Sequence, residues 1–480
     1  MHIVNIATEI APYAKVGGLG DVIQGLSAAL VKKNHKVTVI LPFYEKILKK
    51  HKLPLKKESS FILSEGDLNH KNDVYILEKW GVKIVFIDPI HPKKYFKKNL
   101  IYDKDNDIKR FLYLSKAALK YLLTKNEKID IVNIHDWHTS IVPLLYKNIY
   151  KKRGLEIKKI VLTIHNLSYQ GKCLKKDLKN IFLQEIKNIK TSHVNLLKLG
   201  IIHSDAIVAV SPTYAKDITT KKYGCNLEKT LQKERKKLFG ILNGIDTNIW
   251  TPQKDPFIPC HFEKKLLLNK IALAKEENKN ELRELLNIPL DNKPLVSCIT
   301  RLVPQKSPSL IKAALLRTIK NKGQFILLGS SNIKKIMDDF KNLKNKLKKN
   351  KNAVLTFEYN DKLSHLIYAA SDFIIVPSVF EPCGLTQMIA MRYGSIPIVR
   401  KTGGLADTVF DIDDESKPIS HRNGFLFEDP TLIELYSTLD RAFDYWHKNN
   451  KKPLVKKIMQ IDFSWTRSAQ KYINLYKSLI

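Results

Sequence analysis

Two cations, one lone carboxylate and two glycine turns are the parts of this 480-residue chain whose types and spacing invite chemistry. In Thr300-Arg301-Leu302-Val303-Pro304-Gln305-Lys306, Arg301 and Lys306 follow a buried apolar run. Two cations so placed can embrace a diphosphate and neutralise a leaving group, although ordinary surface charge fits them too. Glu381 is the single carboxylate of Val376-Pro377-Ser378-Val379-Phe380-Glu381-Pro382-Cys383-Gly384-Leu385-Thr386, after another apolar run. A helix beginning near Gly384 would aim its amides at a ligand. Lys15-Val16-Gly17-Gly18-Leu19-Gly20-Asp21 leads from the first apolar run into a helical pattern. Its glycines would let the backbone approach a ligand, a helix N-terminus favours an anion, and Lys15 adds a point charge. The turn is neither a dinucleotide fingerprint nor a P-loop, so a tight strand-to-helix turn and a phosphate site both fit it. Lys401-Thr402-Gly403-Gly404-Leu405-Ala406-Asp407 is a second turn of this kind.

Histidines cluster at two further run ends, as His135-Asp136-Trp137-His138 and His165-Asn166. Two histidines three apart can bind a metal, but no third ligand of the usual spacing accompanies them, and no metal is expected. Polar side chains at the ends of strands suit a hydroxyl-rich ligand better; local loop capping would explain one such cluster more easily than two.

The elements that must position these residues are legible as alternating patterns. Val- and Ile-rich runs at 3–7, 36–41, 82–87, 129–134, 159–164 and 206–210 alternate with helical patterns such as 23–33 and 107–123. After Asn243-Gly244-Ile245-Asp246 the pattern fades through a Pro-containing stretch at 251–259. It restarts with runs at 295–300, 324–328, 353–357, 373–376 and 395–399, with helices between them, including a lysine-rich one at 334–349. Buried runs alternating with amphipathic helices imply α/β domains with parallel sheets covered on both faces. Two doubly wound domains facing across a cleft are expected, with ligands beyond the C-terminal strand ends.

Length alone favours more than one domain. With 44% hydrophobic and 27% charged residues the composition is globular. No uninterrupted apolar run is long enough to span a membrane, and the chain enters a strand pattern at once, so neither a leader peptide nor a membrane anchor is expected. Five cysteines form no C-x-x-C pair, which suits a reducing, cytoplasmic setting. The net charge of +35 comes with 11 arginines among 82 basic residues, leaving 71 lysines. A strong positive field attracts polyanions, yet these lysines are scattered without an aromatic-interleaved arginine patch, so they read as solvent-facing substitutions. No specific nucleic acid is expected as partner.

Taken together, the blocks resemble the glycogen/starch synthase family of retaining glycosyltransferases, of the two-domain GT-B fold. In order they are Lys-Val-Gly-Gly-Leu-Gly-Asp (15–21), His-Asp-Trp-His (135–138), Thr-Ile-His-Asn-Leu-Ser-Tyr-Gln-Gly (163–171), Val-Ser-Pro-Thr-Tyr-Ala (210–215) and Asn-Gly-Ile-Asp (243–246). Arg-Leu-Val-Pro-Gln-Lys (301–306), Phe-Glu-Pro-Cys-Gly-Leu-Thr-Gln (380–387), Thr-Gly-Gly-Leu-Ala-Asp-Thr-Val (402–409) and Asp-Phe-Ser-Trp (462–465) follow. The resemblance implies glucose transfer from a nucleotide-diphosphate sugar, ADP-glucose with UDP-glucose as the alternative, to the non-reducing 4-OH of an α-1,4-glucan. It implies no cofactor and no catalytic metal.

By the same resemblance, Arg301 and Lys306 would hold the diphosphate, and Glu381 would position the glucosyl hydroxyls and stabilise the developing oxocarbenium ion. Backbone amides of Cys383, Gly384, Leu385 and Thr386 would complete that binding. Lys15, the Gly17-Gly18 turn and Asp21 would serve the donor phosphate and the acceptor side. Asp136, His165 and Asn243 would hydrogen-bond the sugar, and Tyr359 would pack on the base or within its own domain. The implied domains are 1–250, 251–462 and a helix at 463–480 returning to the first, with hinges near 246–260 and 460. Asp411-Ile412-Asp413 mimics a metal-binding Asp-x-Asp but reads as loop. Departures from the family are Lys97-Lys98-Asn99-Leu100-Ile101 before Tyr102, where relatives carry Asp-Arg-Pro-Gly, and the insert 415–421; Ile389, where other retaining transferases have a second Glu, matches the synthases. The alternatives are another retaining GT-B transferase, or a non-catalytic glucan- or polyanion-binding homologue.

Overall fold

Nine strands form one sheet, most of them Val- and Ile-rich runs: β1 (His2–Ile6), β2 (Lys36–Pro42), β3 (Lys56–Glu65), β4 (Leu68–Lys79), β5 (Val82–Pro89), β6 (Ile129–His135) and β7 (Ile157–Ile164). After a small antiparallel pair of its own, β8 (Lys172–Leu174) and β9 (His193–Asn195), the sheet resumes with β10 (Ala206–Ala209) and β11 (Leu238–Gly240). The computed structural model describes residues 1–103, 106–182, 192–358, 360–448 and 451–480. Strand order is β11-β10-β7-β6-β1-β2-β5-β4-β3, parallel throughout except for β4, which runs antiparallel to β3 and β5. The central strands are buried on both faces, which is why they read as continuous apolar runs.

The β3–β4 hairpin is absent from the sequence reading. Its strands are polar-rich, and in β3 Phe61 and Leu63 are buried between exposed neighbours. That period-two pattern marks a strand with one wet face, here at the sheet edge. The helix Gly18–Val31 begins before the expected residue 23, so the glycine turn forms its first turn. Gly20 fits closely there: a Cβ would lie 3.2 Å from Lys15 Cγ and 3.3 Å from the backbone N of Ala11, a tight contact that its neighbours would have to relax to admit.

The chain divides into one unit of Met1–Gly244 with Ser464–Ile480, and a second of Ile245–Phe463. The first boundary therefore falls before the expected residue 250, and the second one residue after 462. The last helix, Trp465–Leu479, packs on Gly18–Val31, and Trp465, Ala469, Tyr472 and Tyr476 join the same core as Leu26 and Leu30. Gly25 makes room for it, because a Cβ there would lie 2.0 Å from Trp465 Nε1.

The second unit holds β12 (Leu295–Arg301), β13 (Gln324–Ser330), β14 (Ala353–Thr356), β15 (Phe373–Val376), β16 (Ile396–Arg400) and β17 (Phe425–Phe427). All six are parallel, in the order β14-β13-β12-β15-β16-β17. In both sheets the chain starts at the middle, works outward, and returns to the other side of its first strand. The order reverses between β1 and β6 in one unit and between β12 and β15 in the other. Ligands of open α/β sheets bind at such reversals, beyond the carboxyl ends of the strands.

Candidate functional site

In the first unit the reversal is occupied by Glu9, after β1, and Asp136, after β6. Glu9 is buried; its Oε2 accepts the amides of Val16 at 2.7 Å and Gly17 at 3.0 Å, and its Oε1 accepts the Tyr102 hydroxyl. The start of the glycine turn is thus held by an internal carboxylate, while Lys15 Nζ meets Asp21 Oδ1 at 2.8 Å. Nothing lies within 4 Å of the Cβ that Gly17 lacks, so this part of the turn faces open space.

Asp136 adopts φ +53, uncommon for a residue with a side chain, and strain of this kind collects at functional sites. Its Oδ1 accepts the backbone N–H of His165 at 2.7 Å and of Asn166 at 3.2 Å, fastening β6 to the end of β7. Burial pushes its pKa up to about 7, against these two donors, and the neighbouring Glu9 charge adds to the rise.

The histidines form a directional chain. Asn5 donates its amide to Ser27 Oγ at 3.2 Å, so its Oδ1 accepts from His135 Nε2 at 3.3 Å. His135 Nδ1 then accepts from His165 Nε2 at 3.0 Å, which leaves His165 Nδ1 as the lone-pair end of the relay. Burial holds both rings neutral: it lowers His135 well below the usual range, the nearby His165 assisting, and takes His165 down to about 3. His138 points elsewhere, among Trp137, Phe111 and Tyr102, so the pair spaced three apart shares no site. Asn243 is 4% exposed, and its Oδ1 has no hydrogen-bond partner among the described residues. A buried acceptor left open is costly unless a ligand hydroxyl fills it.

In the second unit Arg301 ends β12, exposed, at the reversal. Lys306 Nζ forms a close ion pair with Glu381 Oε2, and Ser378 Oγ donates to the same oxygen at 2.8 Å. Glu381 is only 7% exposed, so this carboxylate is kept by its partners rather than by water. The loop is fixed from behind. Gln387 donates to Gly384 O at 2.9 Å, Cys383 O at 3.3 Å and Thr408 Oγ1 at 3.0 Å, and Gly404 N donates to Glu381 O at 3.0 Å. Gly403 and Gly404 permit the approach, since their Cβ atoms would lie 2.0 Å from Glu381 O and 2.1 Å from Cys383 O. The helix expected near Gly384 begins at Thr386, because Gly384 takes φ +72 and turns the chain into it; Leu385 is its N-cap.

The structure therefore brings Lys15, Gly17, Gly18, Asp21, Asp136, His165 and Asn243 into the first unit, and Arg301, Lys306, Glu381, Cys383, Gly384, Leu385 and Thr386 into the second. Tyr359 lies outside the described residues. Sequence reading passed over Glu9, Asn5, Ser378 and Gln387. Glu9 carried a signal, as a carboxylate two residues past the first apolar run, and Ser378 and Gln387 stand within or beside the quoted blocks around Glu381. Lys97, in the altered loop, pairs with Asp88 Oδ1 at 2.8 Å, a local role. Asp411 and Asp413 are both bound by Arg441, Asp411 Oδ1 at 2.9 Å. Among the described residues, Glu65, His70 and His91 bring ligand atoms close enough for a metal ion. His91 Nδ1, however, accepts the Lys93 amide at 3.0 Å, so its Nε2 carries the proton it donates to Glu65 Oε2 at 2.6 Å.

Residues 2–233 match the family model described as starch synthase catalytic domain, and residues 264–453 that of glycosyl transferases group 1. A glycogen synthase of Protochlamydia amoebophila is 41% identical, covering 100% of this chain and 99% of its own. The probable starch synthase 4 of Arabidopsis thaliana is 44% identical over 99% of this chain, which spans 47% of that longer protein. Among solved structures, the catalytic domain of starch synthase IV from Arabidopsis thaliana, bound to ADP and acarbose, superposes with a TM-score of 0.94 at 43% identity, covering 100% of this chain and 99% of that one. A sucrose-phosphate synthase from Thermosynechococcus elongatus shares the fold at a TM-score of 0.62 and 15% identity, covering 100% of this chain and 98% of its own.

Proposed function

Because the chain belongs to the glycogen and starch synthase family of GT-B glucosyltransferases, we propose that it moves glucose from ADP-glucose to the non-reducing 4-OH of an α-1,4-glucan, with retention of configuration. The observation that carries this reading is the Lys306–Glu381–Ser378 cluster at the strand-order reversal of the second unit, where Arg301 ends β12. ADP in the related plant structure supports the adenine nucleotide, and the acarbose there supports a glucan acceptor.

In this reading Arg301 and Lys306 bind the diphosphate. As the C1–O bond to the phosphate breaks, the negative charge that gathers on the departing oxygen is met by these two cations. Lys306 then divides itself between phosphate and Glu381, whose carboxylate orients the glucosyl hydroxyls and offsets positive charge at C1. The acceptor 4-OH attacks C1 from the face the nucleotide leaves. Its proton passes to the leaving phosphate oxygen, so the products are the lengthened glucan and ADP. Asp136, Asn243 and the lone pair of His165 Nδ1 hydrogen-bond sugar hydroxyls. Two cations on the diphosphate do the neutralising that a divalent ion performs elsewhere, so no metal and no cofactor enter the proposal. Among the described residues no helix is long and apolar enough to cross a membrane. The cytoplasm, where nucleotide sugars are made, is the proposed compartment.

Glucose incorporation into glycogen from ADP-glucose and UDP-glucose in parallel, with Glu381→Ala as control, tests the proposal. Transfer from ADP-glucose that disappears in the variant is expected. Transfer from UDP-glucose alone would replace the donor, and none from either by folded protein would overturn the reading.

A further inference from the structure

A polar seam that the fold does not need runs through the middle of the first sheet. Asn5 on β1 stands opposite Asn133 on β6, and His135, two residues further along β6, stands opposite Thr163 on β7. The period of two puts all four on one face of the sheet, and Ser27 of the helix Gly18–Val31 meets that face at Asn5. Each of the five is at most 1% exposed, among buried Val, Ile and Leu side chains. Apolar residues would pack there with no polar group to satisfy, so the seam is present for what it orders.

It orders a binary choice. A neutral imidazole holds one proton, so in a chain of two rings the donor and acceptor roles all turn together. With its amide donating to Ser27 Oγ at 3.2 Å, Asn5 shows His135 an oxygen, and the free lone pair ends on His165 Nδ1. With the amide turned over, Asn5 would show His135 an N–H, and His165 Nδ1 would end as a donor. The His135 main chain is fastened as well, its N–H donating to Thr139 Oγ1 at 2.8 Å, which gives the ring a fixed seat. Asn5 and His135 are sealed from solvent, whereas His165 is half-buried. The choice made at the closed end is therefore delivered at the end a ligand can reach.

We propose that Asn5 and Ser27 are positioning residues: the amide that Ser27 orients fixes both imidazole tautomers and keeps His165 Nδ1 an acceptor for a sugar hydroxyl. The proposal rests on the reading above that His165 faces a sugar hydroxyl. Neither residue touches the ligand; both act through His135. In the reversed relay the hydroxyl would meet an N–H and would have to give up its role as donor, leaving its own proton without a partner in a half-buried site.

Two-bond proton–nitrogen correlation spectra of the full chain with 15N-labelled histidine read the tautomers directly, the His165 signals being assigned by their absence in His165→Gln. Without any substrate, His165 is expected to carry its proton on Nε2. Asn5→Leu removes the bias, so the Nδ1–H form of His165 becomes populated. Ser27→Ala leaves the Asn5 amide free to turn and should show both forms. His135→Gln offers a carbonyl to His165 and an amide to Asn5, so it should keep the Nε2–H form, whereas His135→Leu should not. In glucose transfer, kcat/KM should fall about tenfold in Asn5→Leu and His135→Leu, the worth of one hydrogen bond, and recover most of this in His135→Gln. Thermal midpoints close to that of the parent chain establish that the variants are folded. An Nδ1–H tautomer in the parent, an unchanged tautomer in both Asn5→Leu and Ser27→Ala, or a folded His135→Gln no more active than His135→Leu would each overturn the proposal. The expected tautomers in a parent that transfers no glucose would fault the reaction and leave the relay standing.

Discussion

Asp136 Oδ1 accepts the backbone N–H of His165 at 2.7 Å, so one carboxylate fixes where β6 ends and where the His165 ring stands. Burial sets the price of this arrangement, with the pKa of Asp136 pushed up to about 7 from an ordinary 3.8. Between those values the folded chain keeps a proton that the unfolded chain releases. The contribution of Asp136 to stability is therefore highest at low pH and falls as pH rises from about 4 to about 7. Asp136→Asn, which keeps an acceptor for both amides, removes this dependence. Urea unfolding at pH 5 and pH 8 should show the parent losing about 1–3 kcal/mol relative to the variant across that interval. Parallel pH curves for the two proteins would contradict it.

Lys306→Met leaves the Glu381 carboxylate with Ser378 alone in a buried setting. A loss of about 2 kcal/mol in stability is expected, most of it from the stranded charge. The double variant Lys306→Met with Glu381→Gln should recover at least half of that while remaining inactive in glucose transfer. Denaturant midpoints of the four proteins in the cycle decide this; a double variant no more stable than Lys306→Met would mean the pair is not coupled.

Two glycines separate folding from ligand approach. At Gly404 a Cβ would meet Cys383 O at 2.1 Å, so Gly404→Ala should displace the Glu381 loop and cost about 3 kcal/mol or more. Gly17 has an extended backbone, φ −143, and open space around its missing Cβ. Gly17→Ala should change stability by less than about 1 kcal/mol and show itself as a raised KM. Equal thermal midpoints for the two variants would contradict the difference.

Trp465 fills the space that Gly25 leaves, and its backbone N lies 2.5 Å from where a Cβ on Gly244 would stand. Trp465→Ala should cost about 3–5 kcal/mol and expose the amides of Gly18–Val31 and Trp465–Leu479 together in hydrogen exchange. Exchange confined to the last helix would show that it docks without supporting its neighbour.

The amino-acid sequence by itself determined the α/β class, most strands of both sheets, and the presence of polar blocks at strand ends. These are properties of short windows: a buried strand is a run of apolar residues, and a turn is a glycine at a given spacing. The edge hairpin β3–β4 escaped because its polar-rich strands bury only one face. The tertiary structure alone decided which blocks meet. β1 lies beside β6, with Ile3 opposite Ile131, and only that pairing brings Glu9 and Asp136 to one reversal. Lys306 and Glu381 are 75 residues apart, His135 and His165 are 30 apart, and Lys279 and Asp372 meet across two elements. No periodicity encodes such pairings. They follow from strand order and register, which are selected by burial of the whole sheet at once.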